Sequence, residues 1–377
     1  MPVSSTTRAW IVIAVSLLCL LAGGAVYYFR QHRPLPPIVS TLPGAPAAVP
    51  PSNILSELPP DAPVVAYIDA TTLRSLQNSP LAAALGLASP GPQADRDYAN
   101  FVRDAGFDYT RDLDHAAVAF WPASIGTPAN VLGEDRVVAI ADGRFDQQKI
   151  KAYALRAGKE LTRGSQTVYE CPGNPPVSFT FLSPTRIALA GGRNATDLLA
   201  RINLSGSSRR DSAMQSRIDR VTGAPIFAVA RTEHLPPSLY DAFHNAPQLE
   251  QLARSVQAIT LAGQPDGNNL KITLDAESDS LKSALAISIL LEGGRMAGSM
   301  ALSDPNTRRQ MTKEQIAFLE ALVSQAKITH QNKLVRLVLD ITPAMLNAAP
   351  AKASAPLRSP PHSPHSPHSP VVYPAAH

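Results

Sequence analysis

The chain has 377 residues, of which 45% are hydrophobic and 17% charged, with a formal net charge of +4. Spread over this length, that charge leaves no nucleic-acid footprint, and Arg209-Arg210 and Arg308-Arg309 lack interleaved aromatics and read as solvated loop residues. Two cysteines, Cys19 and Cys171, exclude a disulfide framework, and Cys171 reads as a small buried apolar residue.

Ala9 to Phe29 contains 21 residues without a charge. A helix of about 20 apolar residues crosses a bilayer, and Trp10, Tyr27 and Tyr28 stand where interfacial aromatics belong. The expectation is a transmembrane anchor over 9–29 after a short tail, 1–8. The small residues Ala22 to Ala25 leave a cleaved signal peptide as the alternative. A lipoprotein at Cys19 is disfavoured by the bulky Leu18 before it. Arg8 against Arg30 and Arg33 does not favour an inside amino terminus, but a signal-like start leads the following chain outward. The soluble part is therefore placed on the periplasmic side of the inner membrane, with a cytoplasmic domain as the alternative. Residues 30–53 are proline-rich and read as a semi-rigid polyproline II linker.

Residues 54–347 offer two passages through one order of elements. Val64 to Ile68 and the strand within Gly223 to Arg231 each follow an Ala-Pro pair. Each leads through short helical segments (Thr71 to Leu87, Leu235 to Phe243) to a helix, Asp95 to Ala105 or Gln248 to Gln257. A strand pair follows: His115 to Trp121 with Arg136 to Ala141, or Ala258 to Ala262 with Leu270 to Asp275. In the last, Leu270, Ile272 and Leu274 alternate with polar residues, so one face is buried. Asp146 caps the next helix in the first half, and Ser278 or Ser280 in the second, where it runs to about Ala297. Val177 to Leu182, Arg186 to Ala190 and the helix Thr196 to Ile202 close the first half, with Thr167 to Glu170 as an extra strand. The second closes with an inserted helix, Thr312 to Lys327, then Ile328 to His330, Leu334 to Ile341 and Pro343 to Asn347.

The expected fold is α+β: a duplicated β-α-ββ-α-ββ-α unit, halves 54–222 and 223–347, with antiparallel sheet and helices mainly on one face. Whether the halves share one sheet or form two lobes stays open. Residues 348–377 read as a disordered tail, in which His362, His365 and His368 lie about 9 Å apart along polyproline II, too far for one metal ion.

The segments LPPDAPVVAYID, RFDQQKIKAYALRAG, TRIALAGG and APIFAVAR give the chain its resemblance to a family of membrane-anchored bacterial proteins, a domain of unknown function of acidobacterial type. The resemblance covers about Leu58 to Leu346. It implies a structural likeness and brings no catalytic residue with it.

No phosphate-binding loop, HExxH, CxxC, nucleophile elbow or EF-hand motif is present. Ser324 and Lys327 match Ser-x-x-Lys but sit at a helix end. Gly191-Gly192 precedes a helix and reads as a structural turn, with Asn194 or Thr196 as its cap. Asp104, Asp108, Asp112 and Asp114 cluster with Arg103, Arg111 and His115, and read as a salt-bridged loop ahead of a Ca or Mg site. His234 and His244 read as surface residues. No catalytic, cofactor or metal residue is assigned. The expected function is a membrane-tethered extracytoplasmic binding or protein-interaction module without catalysis, whose partners are the bilayer and an envelope protein. The alternatives are an envelope hydrolase with a site assembled from distant residues, and metal handling by the histidine tail.

Overall fold

The structure is a computed structural model that describes residues 51–75, 96–122, 136–163, 166–172, 176–192, 194–200, 202, 210–234 and 247–348. The predicted anchor, most of the linker, the histidine tail, His244 and the segments 76–87 and 235–243 lie outside the described residues.

The first strand, β1 (Val64–Asp69), is led in by α1 (Pro51–Glu57), so the last three linker positions are helical. It runs into α2 (Ala70–Ser75), and α3 (Arg96–Ala105) and α4 (Tyr109–Asp112) precede the hairpin of β2 (Leu113–Trp121) and β3 (Arg136–Gly143). Then come α5 (Gln147–Ala154), β4 (Lys159–Arg163), β5 (Gln166–Cys171), β6 (Val177–Ser183), β7 (Arg186–Gly191), α6 (Ala195–Leu199) and α7 (Ser212–Asp219). The second half opens on β8 (Ile226–Arg231) and a 3-10 turn, Thr232–His234. It continues with α8 (Pro247–Arg254), β9 (Val256–Asp266), β10 (Asn269–Ser278), α9 (Leu281–Ser303) and α10 (Pro305–Arg309). It closes with α11 (Lys313–Gln325), β11 (Lys327–Gln331), β12 (Leu334–Ile341) and α12 (Pro343–Ala348).

All twelve strands belong to one antiparallel sheet, in the order β11-β12-β10-β9-β8-β1-β2-β3-β7-β6-β5-β4. Outward from the central β1–β8 pair, the order is β1-β2-β3-β7-β6 on one side and β8-β9-β10-β12-β11 on the other. The β4–β5 hairpin extends the first side alone. Between β9 and β10 the chain turns on Gly267, whose φ of 59° is a left-handed conformation that a side chain would resist.

One row of paired residues crosses eleven strands and is apolar throughout: Tyr169, Phe179, Leu189, Ala139, Val118, Ala66, Ala228, Leu261, Leu274, Leu337 and Ile328. Helices cover this face at both ends. Phe101 of α3 and Ile150 of α5 pack near Tyr169, and Phe318 and Leu322 of α11 pack near Leu337. The opposite face, with Val65, Tyr67, Ala119, Val138, Phe227 and Val229, meets α1, α6 and α7 through Ile54, Leu198, Met214 and Ile218. The expectation of helices mainly on one face is therefore corrected. Val64 to Ile68 is apolar at every position, and a strand of that kind needs cover on both sides.

Candidate functional site

The register of the sheet aligns four polar residues that sequence spacing does not connect. Asp69 on β1 faces His115 on β2, His115 faces Asp142 on β3, and Asp142 faces Arg186 on β7. His115 and Asp142 are buried. Tyr67, two residues from Asp69 and so on the same face, brings its Oη to 3.0 Å from His115 Nδ1. Its ring stacks between His115 and Phe227, with centroids 6.2 and 5.4 Å away. Burial, and then the negative charges of Asp69 and Asp142, push the Tyr67 phenol far above its ordinary range, so it stays protonated.

Asp69 is committed to the chain. Its carboxylate accepts from the Thr72 amide at 2.9 Å and from Thr72 Oγ1 at 2.7 Å, holding the start of α2. His115 Nδ1 lies 3.5 Å from the same carboxylate. A proton on Nδ1 is shared between phenol oxygen and carboxylate, whereas a bare Nδ1 accepts from the phenol. At the other end, Arg186 forks onto Asp142 with bonds of 2.5 and 2.7 Å, and its third nitrogen donates to Glu57 Oε1. Burial pushes the Glu57 carboxyl up against the pull of Arg186, and Glu57 Oε2 is buried without a hydrogen-bond partner.

Beside the row is a cleft of ≈ 260 Å³, lined by Tyr67, Asp69, Thr72, Pro225 and Gln264 among others. It is small, and the polar atoms on its β1 wall are bonded to neighbours. The row joins four strands, and these hydrogen bonds hold the Tyr67 phenol, His115 Nδ1 and the carboxylates of Asp69 and Asp142.

The other singled-out residues stay apart from this cleft. Asp108 caps α4 by accepting from Thr110, and the Asp108 amide donates to Asp112 at 3.0 Å. Asp112 also pairs with Arg111 and Arg144, Asp104 with Arg103 and Arg156, and Asp114 with Arg74. Among the described residues, no three His, Cys, Asp or Glu side chains gather as a metal site. Ser324 Oγ donates to Ala321 O, and Lys327 lies 3.5 Å from Asp340. Cys171 is half-buried, and burial pushes its thiol up. His234 pairs with Glu233 at the surface.

Two expectations are corrected. Asn194 stands at the N-cap of α6 without a side-chain cap bond, and Thr196 Oγ1 instead meets Ser178 Oγ at 3.2 Å. Arg210 is no solvated loop residue, since it donates to the Leu55 carbonyl and desolvation lowers its pKa.

The surface carries one further feature. Leu281, Leu285, Ile289, Met296 and Met300 of α9 are between 43 and 69% exposed. Among the described residues, α9 is the one helix long and apolar enough to cross a membrane, with 17% of its apolar window buried. Its inner face packs on the sheet through Ala284, Ile287 and Val335.

No family model matches the chain, and no curated protein matches it. Among solved structures, crystal form IV of TP0453 is similar at 12% identity and a TM-score of 0.42, over 78% of this chain and 94% of that one. Crystal form I of TP0453 gives 12% and 0.40 over 78% and 94%, and crystal form III 11% and 0.39 over 80% and 97%. Likeness at this level assigns no function.

Proposed function

We propose that the chain is a membrane-tethered interaction module, anchored by residues 9–29, that works by presenting a surface on the periplasmic side of the inner membrane. The observation that carries this reading is the contrast between the paired polar row and the exposed apolar face of α9. A contiguous solvent-facing apolar row on a folded domain is often a contact surface. The same proposal includes the kinship to membrane-anchored bacterial proteins and an origin of 54–222 and 223–347 in one duplicated unit. The matching strand order on either side of the β1–β8 pair supports the duplication.

A second reading, an envelope hydrolase, is favoured by His115 standing between two carboxylates beside a cleft. One experiment separates the two. The full chain is crosslinked in its native host with the anchor intact, as the unaltered protein, as Leu285→Glu with Met296→Glu, and as Tyr67→Phe. The interaction reading predicts adducts that the α9 exchanges abolish and Tyr67→Phe leaves unchanged. Adducts indifferent to α9, with a hydrolytic activity lost in Tyr67→Phe, would establish the second reading.

A further inference from the structure

The exposed positions along α9 are Leu281, Lys282, Leu285, Ile289, Gly293, Met296, Ser299, Met300 and Ser303. Steps of three and four residues put the apolar ones on a single face. At 1.5 Å per residue, the row from Leu281 to Met300 is about 28 Å long. Lys282 is the one charged residue among these exposed positions, at one end. Glu292, half-buried within the same arc of the helix, is paired with Arg295 at 2.8 Å. Gly293, at the middle, has nothing within 4 Å of the place a Cβ would occupy. The face is thus mostly apolar and open, with one ion-paired carboxylate in its arc.

We propose that this face seats on a lipid surface, with α9 lying along the bilayer plane and its apolar row at the headgroup–acyl boundary. The inference rests on the proposed tether and names the partner of that interaction module. Three observations choose lipid over a second copy or another protein.

The first is size. A strip about 28 Å long and about 10 Å wide offers roughly 300 Å², while a stable protein interface buries about 800 Å² on each partner. A surface helix on lipid needs no matched partner area, because its affinity scales with the apolar surface it immerses. The tether supplies the rest. However it is arranged, the segment 30–50 can reach at most about 75 Å, so docking is an intramolecular event at high effective concentration.

The second is composition. The row holds leucine, isoleucine and methionine with no aromatic ring or arginine, and the polar groups on its arc are Lys282, Ser299, Ser303 and the ion-paired Glu292. A fluid lipid phase demands no register.

The third is charge. At one end exposed Asp279 offsets exposed Lys282, while past the other Arg309 and Lys313 are exposed. A basic group of this kind at one end of an apolar strip suits anionic headgroups.

The test uses the full chain in vesicles of phosphatidylethanolamine with phosphatidylglycerol. Benzoylphenylalanine replaces Ile289 or Met296, or, as a control, Thr162 on the exposed edge strand β4. After irradiation, the proposal predicts at least about tenfold more lipid adduct from positions 289 and 296 than from 162, as for an immersed face against a solvated one. A covalent dimer, a crosslink to residues 9–29, or no adduct overturns it. Flotation of the unaltered chain in alkaline carbonate reports the tether separately. A chain that floats without adducts refutes the docking and spares the tether. A chain that fails to float yet gives adducts refutes the tether and spares the docking.

Discussion

Arg217 of α7 and Arg220, which caps its end, converge on one carboxylate of β10. Arg217 forks onto Glu277 at 3.0 and 3.1 Å, and Arg220 adds a bond at 3.1 Å. Hydrogen bonds from Arg217 hold the Glu277 carboxyl below its ordinary value, burial opposes them, and Arg220 adds to the lowering. A carboxyl whose folded pKa is depressed contributes stability above its unfolded value, and loses it as pH falls through the folded one. Glu277→Gln is therefore expected to cost about 2 kcal/mol at neutral pH, the worth of a charged hydrogen-bond fork. Urea midpoints of the variant and the unaltered protein should converge as the pH drops below about 4.5, the ordinary glutamate value. At this scale the sequence was only partly legible. Asp108 is a helix cap and Asp114 pairs with the distant Arg74, whereas Asp104 and Asp112 read correctly as salt-bridged, because Arg103 and Arg111 stand beside them. The row of Asp69, His115, Asp142 and Arg186 did not, because its members are separated by tens of residues. Only strand register brings them together. Tyr67 carried no signal beyond its place in an apolar run.

Helix starts were the most legible elements, since capping is local chemistry. Asp146 accepts from the Lys149 amide, and Ser280 from Ser283 at 3.1 Å. Thr312 forms a full capping box with Gln315. Ser280→Ala is expected to cost about 1 kcal/mol, read by urea unfolding, while Ser280→Asp keeps most of the stability, because a carboxylate caps as well as a hydroxyl. The paired strands of 256–278 were legible from alternation. Among the elements with no counterpart in the expected order are α1, α4, β4, α7 and α10. β4 reads Lys-Glu-Leu-Thr-Arg, with no apolar rhythm, because it is the outermost strand of the sheet and has solvent on both faces. Charges of this kind discourage further pairing at an open edge. The helix at 281–303 was expected to end near Ala297 and runs to Ser303, where Asp304 ends it and caps α10.

At the scale of the whole molecule, the open question of one sheet or two lobes is answered by β1 pairing with β8 over five residues. Val65 and Val229 meet there, both fully buried. A single sheet of this width keeps its helices on both faces at once, and places α9 on an outer shoulder of the second half. The central claim is that the bare face of α9 is a contact surface, and native methionines report on it without any substitution. In native membranes bearing the full chain, peroxide oxidation of Met296 and Met300 is compared with that of the half-buried Met311, and with rates after urea unfolding. A seated α9 predicts that Met296 and Met300 oxidise more slowly than Met311 in the membrane and equally fast once unfolded. Oxidation of Met296 and Met300 ahead of Met311, as their 55% and 69% exposure demands of a face left in water, would contradict the account.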